Sequence, residues 1–392
     1  MQIDYSPYDR RVHADPYPVY AMLRERAPVY RNERIGCWAL SRYGDVTAAL
    51  RDSRRFSSAN GTIIEPPAWG PNAHRYQSLL AMDPPQHTRT RSLVAACFTR
   101  RRISAMEPLV RRIVRGYLEP ALERRDFDFI SDFAVGVPSD VLSTLLGVSG
   151  ADRREVGRLA RLAARCEEPD DHIAAARIEA ALALSDYYRG LVTDRTRQRQ
   201  RDLVSELLDV TVAGDRFSAE EIVTFLNALT GAANDTVVHL IASAWYMAWR
   251  HPEQAAIAFS GGIDAWVGET LRYDTPTQFT ARTVTADTYL HGVRIPAGSQ
   301  ILLLLGAANH DSAVFPEPGR YDLRRDTSKS IGFGKGRHLC LGAGIARLIA
   351  RVTLAELAAR VARFEIDEEH IRKAPAAEIR GFVHLPTSVK LR

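Results

Sequence analysis

Lysine is nearly missing from this chain. Of 392 residues only Lys329, Lys335, Lys373 and Lys390 are lysine, so the net charge of +5 is carried by arginine. Cysteine is as scarce: Cys37, Cys97, Cys166 and Cys340 stand far apart with no paired spacing. That excludes a disulfide framework and a paired-cysteine zinc site, and it fits a reducing cytoplasm. Long hydrophobic runs are missing too. The longest, Ile301 to Ala308, is far short of the ~20 residues that cross a bilayer. Residues 1–20 are polar and contain proline, so neither a signal peptide nor an N-terminal anchor is expected. No flavin or nicotinamide fingerprint, internal repeat or linker interrupts the chain. A single domain over residues 1–392 is expected. Apolar content of 46% and charged content of 25% are those of an ordinary globular protein.

What is present is mostly helical pattern. Residues 16–30 read as a helix, Cys37 to Leu40 as a strand, and Val46 to Leu50 as a helix. Residues 57–73 hold three prolines and two glycines and read as loop. That loop still carries Ile63, Ile64 and Trp69, which need core or an apolar ligand to cover. Residues 100–215 read as amphipathic helices broken near Pro120, Pro138, Gly147 to Gly150 and Pro169. Strand patterns appear at Phe279 to Val284, Val293 to Ile295 and Gln300 to Leu305. A helix follows over Ala343 to Arg363, and Ile379 to Leu391 suggests a closing hairpin with its tip near Val383. The class is mainly α with a smaller β region. Arginines at 89, 91, 100–102, 111–112 and 115 are either a solvated surface or a face for an acidic protein partner. No nucleic-acid motif accompanies them.

Two stretches carry chemistry. The first is Phe333-Gly334-Lys335-Gly336-Arg337-His338-Leu339-Cys340-Leu341-Gly342, a glycine-rich loop running into a helix. Its glycines allow tight turns and close approach to a flat ligand. A cysteine at a helix N-terminus meets free N–H groups that stabilise a thiolate. Such a cysteine is an iron ligand, a nucleophile or simply a core residue. The second stretch lies in a helix that Ser218 and Glu221 open as a capping box and that runs to Arg250, ~32 residues or ~48 Å. At its middle, Ala232-Ala233-Asn234-Asp235-Thr236 puts poor helix formers where a threonine hydroxyl can bond the carbonyl four residues back and bend the helix.

The cysteine loop resembles the haem-ligand signature of cytochrome P450s. The rest of the chain is similar to that family in order and spacing. Asp235 and Thr236 match its acid–alcohol pair, although Ala233 stands where the family usually has glycine. Glu269 and Arg272 match its E-x-x-R, 71 residues before the cysteine. Arg320 matches the meander arginine. The resemblance implies a P450 fold with a long central helix over haem b (iron protoporphyrin IX), Cys340 as the axial metal ligand, and Phe333, Gly334, Gly342 and Ala232 against the cofactor. It implies that His87, Arg91, Arg282 and His338 hold the haem propionates, and that Ile63, Ile64, Trp69, Phe279 and Val383 line the substrate pocket. The implied activity is insertion of one oxygen atom of O2 into a hydrophobic small molecule, as hydroxylation or epoxidation in secondary-metabolite tailoring of a polyketide or terpenoid. Steroid or fatty-acid hydroxylation is the alternative. A peroxide-driven enzyme, a haem sensor or a haem-free helical binding protein are the other classes. Electrons would come from NAD(P)H through a ferredoxin and its reductase. A cytoplasmic monomer is expected.

Overall fold

The computed structural model describes residues 3–64, 68–164 and 171–392, so Cys166 and the break expected at Pro169 lie outside the described residues. The organising element is the helix Ala219–Arg250. Ser218 accepts the Glu221 N–H at 3.2 Å while the Glu221 carboxylate accepts the Ser218 N–H at 2.8 Å, the reciprocal box the sequence predicts. The helix ends at His251, where Pro252 begins the next one. Its second half is buried on nearly every side, from Val237 to Ala248. A helix apolar all round belongs inside a large core. The helices Glu107–Arg124, Gly136–Leu146, Ile263–Tyr273 and Ala343–Arg360 supply that core. Trp245 stacks between Phe129 (5.5 Å) and Phe364 (3.6 Å) within it.

The strands are β1 (Val29–Asn32), β2 (Cys37–Leu40), β3 (Phe56–Ser57), β4 (Asp126–Asp128), β5 (Phe279–Val284), β6 (Thr288–Leu290), β7 (Val293–Ile295), β8 (Gln300–Leu304), β9 (Val361–Ile366), β10 (Arg372–Lys373), β11 (Phe382–His384) and β12 (Pro386–Leu391). The main sheet runs β1-β2-β8-β5-β3. Its β2–β8 pair is parallel, and β5 is antiparallel to β8 with Arg282 opposite Ile301. Ser57 and Ser58 at the β3 edge and Arg282 on the neighbouring β5 thus come beside the cysteine loop, where Ser58 meets His338.

Four expectations about elements change. The helix read over residues 16–30 ends at Arg26, and Val29 and Tyr30 pair with Leu40 and Ala39 in β1 instead. Pro120 lies inside the helix Glu107–Arg124 without breaking it. It falls in the last two turns, where burial of Leu118, Ala121 and Leu122 outweighs one lost ladder bond. The tail is not a hairpin: β11 pairs with β10, while β12 pairs with β4 and β9. Only Leu385 separates β11 from β12, too little chain for even a two-residue turn. The helix Ala343–Arg360 stops three residues early because Val361–Ile366 is taken up by β12. Residues Phe129–Leu146 are long and apolar enough to span a bilayer by length and composition. Phe129, Phe133, Val137 and Val141 in that stretch are buried in the main core instead.

Candidate active site

Cys340 is held by a loop that needs its glycines. Gly334 and Gly336 have φ of +72° and +74°, a region other residues avoid. A Cβ on Gly336 would also sit 2.6 Å from the Leu50 carbonyl. The Phe333 carbonyl accepts the Cys340 N–H at 2.9 Å, and the helix Ala343–Arg360 begins three residues later with Gly342 as its cap. Burial pushes the thiol up, while the Gly342 and Ala343 N–H groups and Arg91 pull it the other way. The cysteine is nevertheless accessible, as is its neighbour Leu339. A side chain both desolvated and reachable lies at the floor of a recess.

Four basic side chains line that recess, and none pairs with a carboxylate among the described residues. The rings of His87 and His338 lie 4.2 Å apart. His87 Nε2 and His338 Nδ1 are buried without any partner. His338 Nε2 meets Ser58 Oγ at 3.2 Å. Arg282 is buried in the sheet and donates only to Thr280 Oγ1 (3.0 Å) and the Ala281 carbonyl (2.6 Å). Desolvation lowers its pKa to about 10, with Asp83 the one opposing charge. Burial, then Arg282, His87 and Arg91, drive His338 to about 2. Burial lowers Arg91 and His87 as well, and Arg91 and Arg337 add to the effect on His87. Asp83 itself is occupied by Ser57 and by the Ser58 N–H. Two imidazoles and two guanidiniums, with His87 and Arg282 buried and Arg91 and His338 half-buried, fit a ligand carrying more than one carboxylate. With an accessible sulfur at the floor and glycines around it, the residues fit a flat, dianionic, iron-bearing macrocycle.

The central helix supplies the opposite wall. Its middle residues Gly231 and Ala232 are exposed, although the helix is largely buried on either side of them, at Ile222–Leu226 and Val237–Ala248. Thr236 Oγ1 donates to the Ala232 carbonyl at 2.9 Å, the competing bond the sequence predicts. Burial raises Asp235, and Arg161 is the charge that opposes the rise. Ala233 and Leu341 both pack against one hydrophobic cluster, so the extra methyl at 233 has apolar neighbours. The helix remains α throughout, without the break that a sharp bend would leave.

The brace under the loop is real, but one member differs from expectation. Glu269 and Arg272, both fully buried, make two bonds at 2.7 and 2.8 Å. The third member is Arg325, whose Nε reaches Glu269 at 3.2 Å. Arg320 is mostly exposed, 3.9 Å from Glu317. It lends only its carbonyl, to Arg272 at 3.3 Å and Arg325 at 3.1 Å. The turn after Pro318 sends the Arg320 side chain outward, and Arg325 returns beneath it. The sequence does carry the signal, a second arginine pair at 324–325.

The expected pocket residues separate. Ile64, Trp69 and Phe279 pack into the core between the main sheet and the N-terminal segment, with Tyr5, Tyr20 and Leu302. Phe279 is fully buried there, because its strand position turns it to the covered side of the sheet. Ile63 is half-buried, and Val383 is 46% exposed on β11. Much of the basic face is neutralised. Arg89 pairs with Asp215 and Glu221, Arg102 with Glu206, and Arg111 and Arg115 with Glu356. Arg100, Arg101 and Arg112 make no ion pair among the described residues. Asp83, Arg161, Arg325 and Arg337 are contributors that sequence reasoning missed.

Known proteins share this architecture. The family model described as "Cytochrome P450" matches residues 263–392. The chain is 42% identical over 390 residues to a Mycobacterium tuberculosis protein bearing the family designation cytochrome P450 123, covering 99% of this chain and 97% of that one. It is 33% identical to 6-deoxyerythronolide B hydroxylase of Saccharopolyspora erythraea over 95% of this chain and 96% of the other. The solved structure of CYP109Q5 from Chondromyces apiculatus superposes with a TM-score of 0.92 at 31% identity, covering all of both chains. Likeness at this identity over the whole length, with an accessible cysteine on a glycine-rich loop, leaves one conclusion: the chain belongs to the cytochrome P450 family and is a monooxygenase.

Proposed function

We propose that Cys340 ligates the iron of haem b, that His87, Arg91, Arg282 and His338 hold its propionates, and that Ala232, Phe333, Gly334 and Gly342 pack against its faces. The observation that carries this reading is the cluster of basic side chains at the rim of the Cys340 recess: the buried Arg282 has no carboxylate partner, and His87 Nε2 and His338 Nδ1 are buried without a partner. When bound, the haem supplies an iron on which dioxygen is activated, and a thiolate ligand favours O–O cleavage.

The protein's own groups manage protons and order. Thr236 holds its hydroxyl on the oxygen-facing side by donating to the Ala232 carbonyl, leaving its lone pairs to accept from water. Asp235, raised by burial and facing Arg161, exchanges a proton more readily near neutral pH than an exposed carboxylate would. Gly342 and Ala343 direct their N–H groups at the cysteine sulfur and stabilise its thiolate form. Glu269, Arg272 and Arg325 fix the loop that carries it.

The substrate is a hydrophobic small molecule, taken in a tailoring step on a polyketide or terpenoid. The likeness to a 6-deoxyerythronolide B hydroxylase supports this class, and the exposed Val383 on β11 offers it an apolar contact. Electrons reach the site from NAD(P)H through a ferredoxin and its reductase, for which Arg100, Arg101 and Arg112 remain as a docking face. The enzyme works as a cytoplasmic monomer built as one domain.

The absorption spectrum of the reduced, CO-bound protein tests the ligand. A thiolate-type Soret band in wild type, lost in Cys340→Ala, is the expected result. Wild-type protein that takes up no haem would overturn the reading. Turnover of NADH with a ferredoxin system tests the protons: Thr236→Ala keeps the CO spectrum but diverts electrons from product to peroxide. A screen for substrate-induced Soret shifts across polyketides, terpenoids, steroids and fatty acids then identifies the ligand class.

A further inference from the structure

Behind the central helix, on the side away from Ala232 and Thr236, the helices Gly136–Leu146, Arg153–Ala164 and Asp171–Arg197 leave a small cavity. Its polar wall is Ser139, Ser143, Tyr188, Thr230 and Asn234, and Gly157 opens one side. A Cβ on Gly157 would meet Ser139 Oγ at 2.8 Å, so the space depends on that glycine.

Three donors of this wall are already engaged. Thr230 Oγ1 gives its proton to the Leu226 carbonyl at 2.8 Å. The Tyr188 hydroxyl, 2.6 Å from Thr230 Oγ1, must therefore be the donor of that pair. Asn234 Nδ2 donates to the Thr230 carbonyl at 3.2 Å. Asn234 Oδ1, in contrast, is a buried acceptor that has no partner. An unmet buried acceptor is costly, and a polar cavity with room for roughly one water molecule is where such a group finds its donor.

We propose that this cavity binds one water molecule, donating to Asn234 Oδ1 and to the Tyr188 or Ser143 oxygen, and that Asn234 is thereby a positioning residue for the Asp235–Thr236 turn. Between Leu226 and Thr236, three side chains bond carbonyls of their own helix: Thr230, Asn234 and Thr236. Such bonds compete with the helical ladder and loosen it. The water ties Asn234 to the two flanking helices and holds the turn whose next residues are the proton-handling pair. The consequence for catalysis rests on the proposed monooxygenase function; the water itself does not.

A crystal structure of the holoenzyme that resolves ordered solvent decides the first claim. One water within hydrogen-bond distance of Asn234 Oδ1 is expected, and a dry cavity overturns the proposal. This arm stands even if no turnover is found. For the second claim, Ser143→Val fills the cavity from a helix that does not carry Asp235 or Thr236, and Tyr188→Phe removes the hydroxyl that bonds Thr230 without filling the cavity. Both, like Asn234→Leu, are expected to lower product formed per NADH consumed by about fivefold, the worth of one buried hydrogen bond. The reduced CO band should stay in place. Wild-type coupling in a folded Ser143→Val whose structure shows the water gone would overturn the positioning role.

Discussion

Two groups of basic side chains, one built on the buried Arg272 and the other on the buried Arg282, serve the cysteine loop, and they differ in one respect. In the brace, Arg272 donates to both oxygens of Glu269 and to the carbonyls of Asn309, Pro318 and Arg320. Arg325 reaches Glu269 and the carbonyls of Pro316, Glu317 and Arg320. At the rim, Arg282 has one hydroxyl and one carbonyl, and His87 and His338 each keep a bare nitrogen. Residue type, burial and sequence distance do not tell the groups apart. Their partner inventories do. A cation whose donors are all met inside the protein is scaffold. A buried cation whose donors are not met is waiting for a ligand.

The sharpest way to break this comparison is to remove one charge from each group. Glu269→Ala strands two buried guanidiniums and should cost about 3–5 kcal/mol, read from guanidinium unfolding of the purified protein. Arg325→Ala leaves Arg272 still paired and should cost about 2 kcal/mol. If either variant unfolds like wild type, the brace is not a scaffold. At the rim the direction reverses. Arg282→Met removes a repelled, desolvated charge, so the haem-free protein should be as stable as wild type or more so. Haem titration of that apoprotein should show affinity lower by about 10–100-fold, the worth of a hydrogen bond to a charged group. Equal haem affinity would show that the rim cations serve something else.

A third cluster sharpens the rule with pH. Glu356 is buried among Arg111, Arg115 and Arg360. Burial alone would raise its carboxyl, but the bonds from Arg115, Arg360 and Arg111 win and bring it to about 2, against 4.5 when free. A depressed folded value means the stabilisation is complete above the unfolded pKa and is withdrawn as pH falls from 4.5 toward 2. The stability gap between wild type and Glu356→Gln should therefore shrink by about 2 kcal/mol between pH 6 and pH 3, measured by urea unfolding. A gap that stays constant would mean that the arginines, two of them a third or more exposed, are screened by solvent.

Local chemistry made the helices and the cysteine loop legible in the sequence. The capping box at Ser218 and Glu221, the proline after His251 and the glycines at 334 and 336 each act within a few residues. What the sequence hid depends on where distant segments land. Phe279 sits on a strand with buried residues on both faces, and it packs with the N-terminal Tyr5 and Tyr20, which local sequence does not reveal. The tail reads as a hairpin until β12 is seen to prefer Asp126–Asp128, a partner over 250 residues away.

The meander arginine is the smallest and most telling case. Arg320 and Arg325 lie five residues apart, and either could return to Glu269 as far as spacing goes. The chain settles it by turning: the Arg320 N–H bonds the Glu317 carbonyl at 3.0 Å, and Glu317 itself has a φ of +45°. That tight turn points the Arg320 side chain at solvent and presents its carbonyl inward, where Arg272 and Arg325 take it. Arg320→Ala keeps the carbonyl and loses only an exposed contact at 3.9 Å. Its stability should stay within about 0.5 kcal/mol of wild type, in the same unfolding measurement that registers the loss in Arg325→Ala. A larger loss at 320 than at 325 would restore Arg320 as the third member of the brace. It would also mean that backbone turns, and not side-chain spacing, had been misjudged in assigning the meander.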